Sequence, residues 1–100
     1  MWTHKRKVLT IITESALERV LLEDIERLGA HGYTVSDVRG KGHRGVRTSA
    51  WDTNANIRVE VVCDAETAAA IASRLKDQYY ENYAIIQYIA DVEVLRPERF

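Results

Sequence analysis

The segment Arg39–Arg47, RGKGHRGVR, contains the residue types in this sequence that are best suited to bind a charged ligand. It has four basic side chains, one histidine, three glycines and no acidic residue. Arginine donates paired hydrogen bonds to phosphate oxygens, and glycine lets the backbone approach a ligand closely. The segment is therefore a candidate anion-binding loop. A solvated charged hairpin and a nucleic-acid contact are the alternatives that its composition leaves open.

The glycines Gly40, Gly42 and Gly45 match the G-x-G-x-x-G spacing of dinucleotide-binding loops. That fingerprint needs a helix directly after its third glycine, because the helix N-terminus binds the pyrophosphate. Residues 46–54 show no helical repeat of apolar residues, and a strand pattern follows them. No G-K-[ST] closes the run to form a P-loop. The match to the dinucleotide-binding spacing is therefore accidental. The basic side chains and glycines nevertheless remain suited to bind an anion.

Length and charge limit the kinds of partner. A chain of 100 residues is long enough for one domain with one core. Its net charge is −1, and because the basic loop carries +4, the remaining residues carry −5. A local basic loop on an acidic domain favours a small anion over a long nucleic acid. We therefore expect no nucleic-acid partner.

Other sequence features indicate the compartment and the absence of a metal. No apolar run approaches the ~20 residues that cross a bilayer. The single cysteine, Cys63, fits a reducing compartment and is expected to be a packing residue. Histidine, cysteine and aspartate show no metal-ligand spacing. We expect a cytoplasmic protein with no membrane insertion and no bound metal.

The predicted order of elements is βαββαβ, from four strand patterns and two helical repeats. Ser15 and Glu18 have the spacing of a capping box at the start of the first helix, and Gly29 fits its end. Asp64 is suited to cap the second helix. This order predicts an α+β, ferredoxin-like fold with a four-stranded antiparallel sheet and both helices on one face. The predicted strands are residues 5–13, 33–38, 57–61 and 84–94.

The sheet face away from the helices is expected to be apolar, with Leu9, Ile11 and Val62 among its residues. An exposed apolar area of this size favours a partner surface, so we expect an oligomer. RNA-recognition modules stack bases on aromatic residues of their central strands. The central segments here, 8–12 and 57–61, contain no aromatic residue. Protein association is therefore favoured over RNA binding for this face.

Three stretches of the sequence resemble the PII signalling superfamily: HGYTVSDVRGKGHRGVR, NIRVEVVCDAETAAAIASRL and ENYAIIQYIADVEVL. They are most similar to the small PII-like proteins linked to bicarbonate transporters and carboxysomes. The resemblance covers about residues 7–95. It rests on the combination of GYTV, GKG-x-R and the terminal Y-I-A-x-V-E-V-L rather than on any one of them.

The resemblance implies a single PII-like domain over residues 1–100, with a flexible T-loop at about 40–56. It implies a homotrimer that associates through the sheet face and binds an adenine nucleotide (ADP, ATP, AMP or cyclic AMP) between subunits. Bicarbonate is a second candidate ligand. The implied function is regulation of inorganic-carbon uptake or fixation, through a T-loop that contacts a membrane transporter or a carboxysome-related protein.

The resemblance implies a regulator rather than an enzyme. One alternative is a weak nucleotide hydrolase, with Glu60, Asp64 or Glu81 as a base near a metal. The sequence shows no carboxylate pair suited to that role. The other alternative is an adaptor whose loop binds a protein and no small ligand.

The resemblance also implies a set of binding residues. Residues 34 and 35 would lie near the base, residues 40–47 near the phosphates, and residues 83–86 in the short B-loop. Arg96 and Arg99 either contact a phosphate as well or belong to a solvated tail. The implied nucleotide-binding residues are Thr34, Val35, Gly40, Lys41, Gly42, His43, Arg44, Arg47, Tyr83, Ala84, Ile85 and Ile86.

The B-loop departs from the pattern of its relatives. They often have a glycine where Ile85 stands, and the stretch NYAII contains none. A glycine there would let the backbone approach a phosphate. The resemblance therefore implies weaker phosphate contact from this side of the site.

Overall fold

The computed structural model describes residues 3–40 and 56–100. These residues form a four-stranded antiparallel sheet in the order β2-β3-β1-β4, with two helices, so the ferredoxin-like prediction is confirmed. No helix among the described residues is long and apolar enough to cross a membrane. The elements are β1 (His4–Glu14), α1 (Glu18–Arg27), β2 (Thr34–Val38), β3 (Asn56–Cys63), α2 (Ala65–Tyr79) and β4 (Ile85–Val94), with short 3-10 turns at Ser15–Leu17 and Pro97–Arg99.

The first helix begins differently from the prediction. Ser15–Leu17 form a 3-10 turn, the α-helix starts at Glu18, and neither start has a side-chain cap. The predicted capping box is therefore wrong, because Ser15 lies inside the turn instead of preceding the helix. The helix ends as predicted: Gly29 has a φ of 110°, a conformation that favours glycine.

The second helix has the predicted cap. The Asp64 side chain accepts a hydrogen bond of 2.8 Å from the Thr67 backbone N–H. This bond holds the pKa of the Asp64 carboxyl below its usual range. Asp64 therefore fixes where α2 starts.

The alternation of β1 places two predicted open-face residues in the core. Leu9 pairs with Val61 and Ile11 pairs with Val59, and all four are 0% exposed beneath the helices. The prediction that Leu9 and Ile11 lie on the open face is therefore wrong. Residues 8–12 are mostly apolar on both faces, so the period of two alone could not distinguish the faces.

The open face of the sheet is nevertheless apolar. Val62 pairs with Val8 on this face, as predicted for Val62, and both are half-buried. On β4, Ile86 is 44% exposed and Tyr88 is 53% exposed. The register aligns them with open-face residues of β1, Ile86 with Ile12 and Tyr88 with Thr10. An apolar strip therefore lies on the sheet surface that the helices do not cover.

Behind the sheet, a buried carboxylate joins the two helices. Asp24 of α1 is 4% exposed and accepts a hydrogen bond of 2.7 Å from the Tyr79 hydroxyl of α2. Arg27 donates to the other carboxylate oxygen at 2.8 Å, and Arg74 forms an ion pair at 3.7 Å. Both arginines remain partly exposed. The charge of Asp24 is thus compensated, and its contacts fix the helices against each other.

We predict that Tyr79→Phe lowers the free energy of unfolding by about 1.5–3 kcal/mol, since it removes a hydrogen bond to a buried charge. Burial, and then the bond to Asp24, raise the pKa of Tyr79 to about 12. A raised folded-state pKa means that the hydroxyl stabilises fully below pH ~10, the usual tyrosine value, and loses this effect as pH rises through 12. Urea unfolding at several alkaline pH values should therefore show the two proteins converging. A difference that stays constant up to pH 11 would contradict this.

Candidate functional site

The predicted binding residues that the structure describes fall into two groups, toward opposite ends of β2 along the strand direction. Thr34 and Val35 begin β2, whereas Gly40 and residues 83–86 lie near the end where β2 stops and β4 starts. The predicted residues outside the described part of the chain are Lys41, Gly42, His43, Arg44 and Arg47.

At the first end, a cavity of about 210 Å³ opens on the uncovered sheet face. Drug-sized ligand pockets begin at about 300 Å³, so this cavity suits one ring system rather than a whole nucleotide. It combines aromatic surface with a hydroxyl, a carboxylate and a guanidinium, which are groups that can orient a heterocycle. It is lined by Gly32, Tyr33, Thr34, Glu60, Val62, Arg99 and Phe100.

The two predicted base-binding residues point to different faces. Thr34 pairs with Glu60, and both line the cavity. Val35 pairs with Val59 and packs against the core behind the sheet. The Val35 side chain therefore packs away from the cavity, whereas Thr34 lines it. We refer to this cavity as the base pocket.

At the other end, two consecutive residues of β1 hold the start of β4. The Thr13 hydroxyl donates to the Ala84 carbonyl at 2.9 Å, and the Glu14 carboxylate accepts from the Ala84 N–H at 3.1 Å. Thr13 and Ala84 are both 0% exposed. The Ala84 N–H thus already has an acceptor, which limits its use for a phosphate.

The other residues of the predicted B-loop contribute mainly to packing. Tyr83 meets Tyr79 edge-to-face with ring centroids 6.1 Å apart. Ile85 packs against the core, while Ile86 is exposed on the open face. Among the described residues, the segment 83–86 presents apolar side chains and no glycine.

Antiparallel pairing connects this end of the sheet to the basic loop. Val38 of β2 pairs with Asn56 of β3, and Asn56 pairs with Glu14 of β1. Arg39 and Gly40 follow Val38 directly and are exposed. The basic loop therefore leaves the sheet at the same end as Glu14 and the start of β4, although β3 lies between β2 and β1, and β4 is the opposite edge strand. We refer to this end of the sheet as the loop end.

The base pocket and the loop end are separated along β2. From Thr34 to Val38 the strand advances about 13 Å, at roughly 3.3 Å per residue. A small anion at the loop end cannot reach the base pocket. A ligand that uses both regions must be extended, or the two regions must come from neighbouring chains.

The carboxylates considered for a hydrolase do not converge. Glu60 lines the base pocket, whereas Asp64 caps α2 and lines a separate cavity of about 280 Å³. Within that cavity Lys7 binds Asp91, and their hydrogen bond lowers the pKa of Asp91. Within residues 3–40 and 56–100, no three metal-ligating side chains form a group that could hold an ion. The cavity is lined by Lys5, Arg6, Lys7, Asp64, Ala65 and Asp91.

Several residues of these regions were not among the predicted binding residues, Glu14 and Phe100 among them. Glu14 and Ala84 are 70 positions apart, so no local pattern could connect them. Phe100 reaches the base pocket because the turn Pro97–Arg99 directs the chain end toward it. Arg99 was one of two candidates in a tail with no periodicity, and it lines the same pocket.

Comparison with known proteins identifies similar sequences. A family model described as "Nitrogen regulatory protein P-II" matches residues 6–99. Nitrogen regulatory protein P-II 1 of Methanothermobacter thermautotrophicus is 38% identical over 68 residues, which is 61% of this chain. The aligned segment spans 58% of that relative's length.

Solved structures are similar over the whole fold. A PII-like signalling protein of Thermus thermophilus has a TM-score of 0.84 and 42% identity, covering 100% of this chain and 99% of that one. CPII of Thiomonas intermedia K12, bound to ADP, AMP and acetate, has a TM-score of 0.86 and 23% identity, with coverage of 100% and 98%. A second CPII structure contains ADP and bicarbonate, with a TM-score of 0.85 and 23% identity over 98% of this chain and 96% of that one. The likeness to CPII shows the fold alone.

We predict that Thr13→Val lowers the free energy of unfolding by about 1–3 kcal/mol, because the buried Ala84 carbonyl loses its donor. Thr13→Ser keeps the hydroxyl and serves as the matched control, with a smaller loss. Urea unfolding of the three proteins measures both effects. Equal stability of the valine and serine variants would show that the hydroxyl bond does not hold the start of β4.

Proposed function

We propose that this chain, which belongs to the nitrogen regulatory protein P-II family, binds an adenine nucleotide and changes the conformation of its basic loop in response. Family membership makes it a PII-like regulatory protein and not an enzyme, as predicted. The base pocket beside Thr34 supports the nucleotide proposal most directly, because the GYTV motif borders an open cavity with ring-binding character.

The base would enter the cavity between Tyr33 and Phe100, which are 39% and 37% exposed. Aromatic surface of this kind stacks on heterocycles. The Thr34 hydroxyl and the Glu60 carboxylate can accept hydrogen bonds from the exocyclic amine of adenine. Arg99 supplies a positive charge beside the same pocket.

The phosphates would meet the basic loop. Gly40, Lys41, Gly42, His43, Arg44 and Arg47 are proposed as its contacts. Guanidinium groups hold phosphate oxygens through paired bonds, and glycine allows backbone N–H groups to approach. The predicted B-loop, Tyr83 to Ile86, would contribute less to phosphate binding, because the Ala84 N–H already donates to Glu14.

A homotrimer would complete the site. The apolar strip on the open face, where Ile86 and Tyr88 are exposed, would be buried when neighbouring chains associate through this face. Within one chain the base pocket and the loop end are about 13 Å apart. Neighbouring chains could bring the base pocket of one chain close to the loop end of the next. The nucleotide would lie in the resulting cleft.

The proposed output is a population shift of the loop at about residues 40–56. A ligand that binds one loop conformation more tightly increases its population, and a partner protein recognises the change. We propose a single PII-like domain over residues 1–100 that regulates inorganic-carbon uptake or fixation. Its proposed partner is a membrane transporter or a carboxysome-related protein. CPII, which shares the fold, binds ADP with bicarbonate, so bicarbonate is proposed as a second ligand.

A thermal-unfolding screen tests the proposal with ATP, ADP, AMP and cyclic AMP, each with and without bicarbonate. A ligand that binds the folded state raises the melting temperature by mass action. We expect at least one adenine nucleotide to do so and GTP to have a smaller effect. No rise with any nucleotide would favour the adaptor alternative.

We predict that Arg44→Ala weakens nucleotide binding by about tenfold or more, since it removes charge-assisted bonds to phosphate. Titration calorimetry measures the dissociation constant. Arg19→Ala is the matched control, because Arg19 lies on the outer side of α1 and pairs with Glu23. Unchanged affinity in Arg44→Ala would remove this residue from the site.

We predict that Tyr88→Asp dissociates the trimer, because it places a charge within the proposed apolar interface. Gln78→Asp adds the same charge at an exposed position of α2 and should leave the trimer intact. Light scattering after size-exclusion chromatography gives the mass of each protein. A monomeric wild-type protein, or a Tyr88→Asp trimer, would contradict the proposed interface.

A further inference from the structure

We propose that residues 95–100 form a strap that closes over the base in the base pocket and contacts it through the ring of Phe100. The inference rests on the proposed function and concerns how the same site holds its ligand and responds to it. It arises from the position of Arg99 and Phe100, which follow the last strand in sequence but line the base pocket beside Thr34 and Glu60.

The strap starts at one edge of the sheet and reaches a pocket near the other edge. The strand order is β2-β3-β1-β4, and the base pocket lies on β2 and β3. β4 ends at Val94, which pairs with His4 of β1 and is 9% exposed. Neighbouring strands lie about 4.8 Å apart, so the strap must pass β1 and cover roughly 10 Å between β4 and β3. The strap therefore joins the anchored end of β4 to the wall of the pocket.

The strap has its own hydrogen bonds. The Arg99 N–H donates to the Arg96 carbonyl and the Phe100 N–H donates to the Pro97 carbonyl, both at 3.1 Å. Among the described residues, no hydrogen bond joins residues 96–100 to the rest of the chain. The turn thus keeps its own shape, and its position depends on the connection to β4 and on the two side chains that line the pocket.

Phe100 borders the pocket without filling it. A cavity of about 210 Å³ remains beside its side chain. A Cβ at Gly32, which also lines the pocket, would meet no heavy atom within 4 Å apart from its chain neighbours. Phe100 is 37% exposed, so part of its ring surface is free to contact a ligand. The strap is therefore placed as a cover over a ring and not as a plug that a ring must displace.

A base in the pocket would stabilise the closed position of the strap. Bases stack favourably on aromatic side chains, and burial of the remaining Phe100 surface removes apolar area from water. Both effects act only when the strap lies over the base, so the ligand increases the population of the closed strap. The strap would respond to the base itself, whereas the basic loop responds to the phosphates.

Titration calorimetry of the full chain with adenosine and with AMP tests the proposal. Adenosine has no phosphate, so its affinity reports on the base pocket without the basic loop. We expect Phe100→Ala to weaken both ligands by the same factor, about tenfold, because the lost contact is to the base. Phe100→Tyr keeps the ring and should stay within about threefold of the wild-type affinity. Leu95→Ala is the matched control, because Leu95 is an exposed apolar residue of the same strap that does not line the pocket.

Amide hydrogen exchange measures the closure directly. The N–H groups of Arg99 and Phe100 exchange with solvent when the turn of the strap opens. Saturating adenosine should slow their exchange in the wild-type protein and in Leu95→Ala, and slow it less in Phe100→Ala. Unchanged exchange of both amides in the adenosine-bound wild-type protein would show that the strap does not close.

The outcomes separate this inference from the proposed function. If both ligands bind and Phe100→Ala keeps the wild-type affinity, or Leu95→Ala loses as much, the Phe100 ring does not cover the base, although the nucleotide site stands. A loss with AMP alone would place Phe100 at the phosphate and overturn the inference in the same way. If AMP binds and adenosine does not, the base pocket holds no base by itself, and only the strap inference fails. If neither adenosine nor any adenine nucleotide binds the wild-type protein, both proposals are overturned.

Discussion

The pairing of β1 with strands on both sides is the constraint on which the rest of the structure depends. β1 pairs with β3 along Lys7–Glu14 and with β4 along His4–Thr13. Its alternation puts Leu9 and Ile11 into the core, where they support the helices, and turns the neighbouring residues to the open face. A shift of one residue in this register would reverse both faces at once. The position of every element near the candidate site therefore follows from β1.

The base pocket and the loop end differ in chemistry because of this arrangement. The base pocket, near the start of β2, combines aromatic rings with Thr34, Glu60 and Arg99. The loop end combines a basic segment with the hydrogen bonds that Thr13 and Glu14 form with Ala84. The strand ladder thus holds the aromatic side chains of the base pocket apart from the basic segment. The uncovered apolar face gives a physical reason for the proposed association with a second chain.

Features that depend on a few neighbouring residues were predictable from the sequence. The Asp64 cap and the end of α1 at Gly29 follow from local backbone chemistry, and both are confirmed. The order of strands and helices along the chain follows from the apolar repeats of the sequence. The face occupied by Leu9 and Ile11 was not predictable in this way, because residues on both sides of β1 are apolar. The Ser15–Glu18 spacing failed because a 3-10 turn intervenes before the helix.

The candidate site was predictable only in part, because a local motif shows neither the face that a side chain takes nor the contacts between distant segments. The GYTV motif indicated Thr34, which lines the base pocket, but the motif alone could not show that Val35 packs into the core. Glu14 and Ala84 meet only because two segments 70 positions apart in sequence lie beside each other. A half-buried carboxylate is stable when donors compensate for its lost hydration, and the Ala84 N–H is such a donor. The bond that makes the Glu14 carboxylate acceptable at the end of β1 also holds the start of β4 in place.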